Sequence, residues 1–136
     1  MSQAKLYLPI ILLSISLTNS PLTSILGKWD TGRGGIIEIS VSGDRLYGKL
    51  VSSREPERLD TKNPDLALRS ENLVGHNILI GFKLGKDDVW KDGKIYNPED
   101  GRLYDAKLTL KGDELKVRGF KGVALLGKTV VWSRVN

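Results

Sequence analysis

The stretch GVALLGKT, Gly122 to Thr129, matches the phosphate-binding consensus G-x-x-x-x-G-K-[ST] at every position. Such a loop works because its backbone N–H groups, and the N-terminus of the helix that follows it, point at phosphate oxygens. Here TVVWSRV follows, β-branched and alternating, which predicts a strand. No later apolar strand ends in an aspartate that could hold magnesium. The nucleotide reading therefore fails the context that gives the motif its meaning, and Gly119, Gly122 and Gly127 read instead as turn glycines flanking an apolar tip, Val123–Leu126. Such a tip is expected to fold inward as a plug over one barrel end, with a hydrophobic contact to a membrane or partner as the alternative.

His76 is the one histidine and there is no cysteine. A zinc site would need carboxylates for its remaining ligands, and Ser-His-Asp catalysis would hang on His76 alone, without a G-x-S-x-G. The acid pairs Asp87-Asp88 and Glu99-Asp100 fall in predicted turns, where acids are common for conformational reasons. With no nucleophile–base or acid–base pair visible, the expectation is a protein that is not an enzyme, with no catalytic residue, metal or cofactor. One polar cluster stays open. In DTKNPDLALR, residues Asp60, Asn63, Asp65 and Arg69 are either a turn with an Asp65–Arg69 pair at i, i+4 or part of a lid over a ligand.

The elements that would position these residues are strands. Ile37, Ile39 and Val41 alternate with Glu38 and Ser40; Leu46, Gly48 and Leu50 alternate with Tyr47, Lys49 and Val51; Ser42–Asp44 between them is a hairpin turn. Asn77–Leu84 places Ile78, Ile80, Phe82 and Leu84 on one face, Asp92-Gly93 interrupts Val89–Asn97 with a bulge, and Pro98–Gly101 is a turn. Tyr104, Ala106, Leu108 and Leu110 then share a face, and ELKVRGF and GKTVVWSRV complete about eight short strands. Only Ser53–Gly75 breaks the rhythm, with room for one helical turn around Pro64–Leu68. Tight consecutive connections make neighbours antiparallel, so the expected fold is all-β: an eight-stranded antiparallel up-and-down barrel, with a two-sheet sandwich as the alternative.

Met1–Ser24 carries one charge, Lys5, then an apolar run from Leu6 to Thr18 and small polar residues. That is the layout of a secretory signal, shorter than a membrane span needs. The expected division is thus a signal segment over 1–24, its cleavage point open, and a barrel domain over 25–136 in a periplasmic or secreted protein. Losing Lys5 lowers the net charge from +5 to +4, and scattered Lys and Arg read as a solvated surface, not a nucleic-acid groove. Without cysteine there are no disulfide staples, and the fold must stand on its core.

GKW at Gly27–Trp29 and WSR at Trp132–Arg134 open and close the predicted barrel. A G-x-W on the first strand with an Arg of the last laid across the indole resembles the closure of lipocalins and their calycin relatives, and assigns Gly27, Trp29, Trp132 and Arg134 to it. RLYGKLV, DTKNPDLALR, LVGHNIL, WKDGKIYNPEDGRLYDAKL and LKVRGFKGVALLGKTVVWSR are together similar to the bacterial family known as domain of unknown function 2147, over Gly27–Val135. The resemblance implies a calycin-type barrel in an exported protein, with Gly48, Asn63, Pro64, Arg69, Gly93 and Gly101 among its signature positions. It implies no activity. The expected function is binding of a small apolar or lipid-like ligand within or at the mouth of the barrel, lined by Ile37, Ile39, Leu50, Ile80, Phe82, Tyr104 and Leu108. The alternative is a barrel filled by its own side chains, acting as an envelope interaction or structural module through the Ser53–Gly75 loop or exposed Tyr47 and Tyr96.

Overall fold

The structure, a computed structural model, describes residues 24–119 and 129–136. Residues 1–23 of the expected signal segment and the Val123–Leu126 tip lie outside the described residues. Eight strands follow in order: β1 (Gly27–Asp30), β2 (Ile36–Ser42), β3 (Arg45–Ser52), β4 (Asn77–Leu84), β5 (Val89–Asn97), β6 (Arg102–Lys111), β7 (Glu114–Gly119) and β8 (Thr129–Arg134). Each pairs antiparallel with the next, and β8 returns to β1, so the sheet closes into a barrel in simple sequence order. Thr129–Arg134, after the phosphate-loop motif, is strand and not helix.

Alternation fills the inside. Trp29, Ile37, Ile39, Leu46, Leu50, Leu79, Phe82, Trp90, Ile95, Tyr104, Leu108, Leu115, Val117 and Trp132 are all buried in one continuous core. Among the described residues no helix is long and apolar enough to cross a membrane. The Asp92-Gly93 bulge occurs as its sequence predicts: the β5–β6 register shifts between Trp90 and Gly93, and Asp92 has a φ of 61°.

In β4 the expected face is broken. Gly81 has a φ of 73°, left-handed backbone that interrupts the two-residue period, so Leu79 and Phe82 are the fully buried pair. Ile80 is only half-buried and Leu84 is exposed. The sequence predicts one uninterrupted apolar face because a glycine in a strand carries no sign of its φ.

The barrel has two unlike ends. Among the described connections, Gly43–Asp44, Gly85–Asp88 and Gly112–Asp113 lie at the lower end, and Thr31–Gly35, the long Ser53–His76 segment and Pro98–Gly101 at the upper end. Successive connections alternate between the ends because each strand of an up-and-down barrel runs opposite to the one before, and the one long connection falls at the upper end.

Candidate functional site

The lower end is closed by side chains of the first and last strands. Trp29 and Arg134 are register partners, and the guanidinium lies 4.3 Å from the centroid of the Trp29 ring. Stacking of this kind contributes about 0.5–2 kcal/mol. Arg134 also donates to Asp113 Oδ1 at 3.2 Å, to the Leu26 carbonyl at 3.3 Å and to the Ser24 carbonyl. Trp29 Nε1 donates to the Ile25 carbonyl at 2.9 Å, which satisfies a buried indole N–H. Ser24 and Ile25 therefore belong to the closed end, with Ile25 wholly buried.

Six of the seven expected lining residues, Ile37, Ile39, Leu50, Phe82, Tyr104 and Leu108, are buried in the core. They pack against one another in that core, and two glycines make the packing fit. A Cβ on Gly93 would stand 2.3 Å from the Phe82 ring, and one on Gly48 would stand 2.8 Å from Ile37 and 2.9 Å from Leu79. The large side chains occupy the space a smaller barrel wall leaves open. Ile80 is the correction: past the Gly81 bulge it lines an outer cleft, not the interior.

Above this layer, at the upper end, a recess of about 150 Å³ opens between Ile95, Val117, Val130 and Trp132, with Thr31 and Arg33 of the β1–β2 connection at its edge. Trp132, grouped with the barrel closure by its sequence position, thus points into the upper recess, away from the Arg134 bolt.

A second, larger hollow of about 360 Å³ lies outside the barrel, between the long connection and β4, β5 and β6. Leu79 faces Ile95 across the β4–β5 ladder on the inside, so alternation puts Ile80 and Tyr96 on the outer side. The long connection covers Tyr96, which is 8% exposed; the sequence-based expectation of an exposed aromatic is corrected here. Its hydroxyl donates to Asp60 Oδ1 at 2.6 Å, and Asn63 Nδ2 donates to Asp60 Oδ2 at 2.8 Å. Asp60 is 1% exposed, the one buried charged residue among those described. Burial, then the hydrogen bond and the negative charge of Asp60, hold the Tyr96 phenol well above its ordinary range.

The rest of the connection is shaped locally. Asn63 Oδ1 accepts from the Asp65 N–H, and Asp65 caps a single 3₁₀ turn, Leu66–Leu68, by accepting from the Ala67 N–H. Arg69 Nε donates to the Asn63 carbonyl at 2.7 Å instead of to Asp65. At the top of the barrel, Gly101 (φ 72°) is the last residue of its turn, and a Cβ there would lie 1.8 Å from the Lys62 carbonyl. The turn glycine is also the seat of the long connection. His76 Nε2 lies 3.1 Å from Glu71 Oε2 on the rim of the cleft.

The acid pairs fall where the sequence puts them, in turns. Glu99 receives Arg58 at 2.9 Å, and Asp100 accepts from the Tyr104 hydroxyl. That bond holds the Asp100 carboxyl below and the Tyr104 phenol above their ordinary values. Among the described residues no three His, Asp or Glu side chains converge on a metal position.

With this geometry in place, the family can be read. The profile of a family described as uncharacterised proteins conserved in bacteria, DUF2147, matches residues 27–134. The chain belongs to DUF2147. Among solved structures it is similar to protein HP1028 from the human pathogen Helicobacter pylori, which belongs to the lipocalin family, at 25% identity and a TM-score of 0.64, over 75% of this chain and 73% of that one. No curated protein matches.

The DUF2147 match spans every strand described above, both hollows and the Arg134 bolt. Of the four polar loop residues picked from the sequence, the fold brings Asp60 and Asn63 together on the cleft and uses Asp65 and Arg69 to shape the backbone beside it. Sequence reasoning missed Tyr96 and Leu103 as cleft residues. The available signal was alternation: counting outward from Ile95 and Tyr104 assigns both to the outer face.

Proposed function

We propose that this DUF2147 protein is an exported, non-enzymatic binding protein of lipocalin type that holds a small, largely apolar or lipid-like molecule at the upper mouth of its barrel. The observation that carries the reading is the recess walled by Ile95, Val117, Val130 and Trp132 above the packed layer. At about 150 Å³ it is smaller than the roughly 300 Å³ at which whole-ligand pockets begin. It suits the apolar end of a longer molecule, with Arg33 and Thr31 placed to meet a polar group that stays outside. The likeness to a lipocalin-family protein supports a barrel that takes a small ligand, and leaves its chemistry to the recess.

The test is native mass spectrometry of protein purified from its own host, with extraction of any retained molecule. The expected result is a retained apolar mass that Val130→Trp, at a half-buried wall position of the recess, expels without unfolding the barrel. Recovery of ligand-free protein that takes up no lipid-like probe removes the reading. A second reading draws on the Phe82–Gly93 and Leu79–Gly48 packing: a filled barrel acting as an envelope interaction module, for which affinity capture would recover a protein partner from ligand-free material.

Export rests on the charged start and apolar run of residues 1–23. On this reading the cut falls before Ser24, a position supported by the bond from Arg134 to the Ser24 carbonyl and by the burial of Ile25. Intact mass of the protein from the periplasmic fraction or medium checks both statements.

A further inference from the structure

The outer cleft carries a charge pattern of its own, distinct from that of the barrel mouth. Its volume of about 360 Å³ falls within the range of small-molecule sites, roughly 300–1,000 Å³. Its apolar surface comes from Pro64 and Leu68 on one side and Ile80 and Leu103 on the other. Leu103 is 55% exposed, a large apolar side chain left uncovered beside the hollow.

The chain carries a net charge of +5. Yet among the described residues lining the cleft the single formal charge is the Asp60 carboxylate, and no lysine or arginine contributes. Both side-chain donors to that carboxylate, the Tyr96 hydroxyl and the Asn63 amide, are neutral. A buried carboxylate held by neutral donors is poorly screened, so its field reaches into the adjacent hollow. Glu71 on His76 adds a second carboxylate at the rim. Two cations of the same connection stand close by without lining the hollow: Arg69 donates to the carbonyl of Asn63, and Arg58 pairs with Glu99 while its charge partly offsets that of Asp60 at Tyr96.

We propose that this cleft is a binding site for a small organic cation, an amine whose apolar body lies against Leu68, Ile80 and Leu103 and whose charge faces the Asp60 side. Volume sets the size of the ligand and the sign of the field sets its charge. A neutral or anionic isostere would gain the same apolar contact without the attraction, or against it.

The experiment is an amide-shift titration of the ¹⁵N-labelled mature protein at neutral pH with three isosteric probes: benzylamine, benzyl alcohol and benzoate. The expected result is saturable shifts at His76, Asn77 and Leu103 with benzylamine, an affinity about tenfold above that of benzyl alcohol, and none with benzoate. Asp60→Asn, which keeps an acceptor for Tyr96, should bring the amine down to the level of the alcohol. Leu103→Trp, at an exposed position that leaves the core untouched, should abolish the shifts and decides the matter if Asp60→Asn does not fold. Equal affinity for amine and alcohol, preference for benzoate, no saturable shift, or shifts confined to Ile95, Val117 and Trp132 would each overturn the proposal. The last outcome leaves the barrel-mouth reading standing.

Discussion

At the lower end of the barrel, Arg134 ties together Trp29, Asp113, Leu26 and Ser24, and the strands turn through Gly43–Asp44 and Gly112–Asp113. At the upper end the long connection is held from outside, by one buried carboxylate on one tyrosine, by a carbonyl seated on Gly101 and by the exposed Arg58–Glu99 pair. The lower end works by joining first strand to last, so breaking it should open the whole sheet. The upper end works by laying a loop on a finished barrel, so breaking it should free only the loop. Both hollows lie at or beside the upper end, where local stability can be low without threatening the fold.

The sharpest way to break this contrast is Trp29→Ala. It removes a fully buried indole, the platform for Arg134 and the donor to Ile25, and should cost about 3–5 kcal/mol. In a domain with no disulfide, whose stability is of the order of 5–15 kcal/mol, urea unfolding should shift cooperatively and completely. A preserved midpoint would mean that the lower end does not hold the cylinder shut.

Gly93→Ala tests the layer between the two ends. The new methyl would meet the Phe82 ring at 2.3 Å, an overpacking that costs about 1–3 kcal/mol. The double variant with Phe82→Leu should recover part of the loss, a coupling that denaturant melts of the four proteins would measure.

Tyr96→Phe should lose about 1–3 kcal/mol, since it leaves the Asp60 carboxylate buried with one of its two side-chain donors. The loss should be local. Hydrogen exchange ought to rise across Ser53–His76 while β1, β7 and β8 keep their protection; uniform loss of protection would erase the distinction between the two ends.

The comparison also explains what could be read from the sequence. Alternation at Ile37, Ile39, Leu46, Leu50, Tyr104 and Leu108, with short turns between, was enough for the barrel, because a half-buried strand writes its inner face into every second residue. G-x-W with a terminal Arg was enough for the lower closure. The upper end was less legible for two reasons. Backbone φ is invisible at Gly81, so Ile80 was assigned to the inner face. Burial of Tyr96 and Asp60 is created by a loop whose path no periodicity encodes, so a tyrosine on the outer face read as exposed. Asp60 and Asn63 were legible as an unexplained polar pair, but their partner Tyr96 lies across the fold and no local pattern joins them.

The smallest effect separates the two tyrosines of the upper end by pH. Burial and Asp60 raise the Tyr96 phenol, whereas Tyr104 is raised mainly by its bond to Asp100, whose carboxyl is lowered in return. A phenol raised on folding adds stability that is complete below the unfolded value near 10 and is lost as pH climbs towards the folded value. The lowered Asp100 carboxyl adds stability that is present above the ordinary carboxylate range and is lost as acid protonates it in the folded state. The Tyr104–Asp100 bond should therefore weaken at both extremes, and the Tyr96–Asp60 bond should resist base until the loop lifts. Spectroscopic titration of Tyr47, Tyr96 and Tyr104 in the mature protein should give a late class that Tyr96→Phe removes. In Tyr104→Phe, carboxyl NMR should find Asp100 titrating at higher pH, while hydrogen exchange of Ser53–His76 stays as in the parent. Loosening of that segment in Tyr104→Phe would show that the Tyr104–Asp100 bond also supports the long connection, beside its ties at Asp60, Glu99 and Gly101.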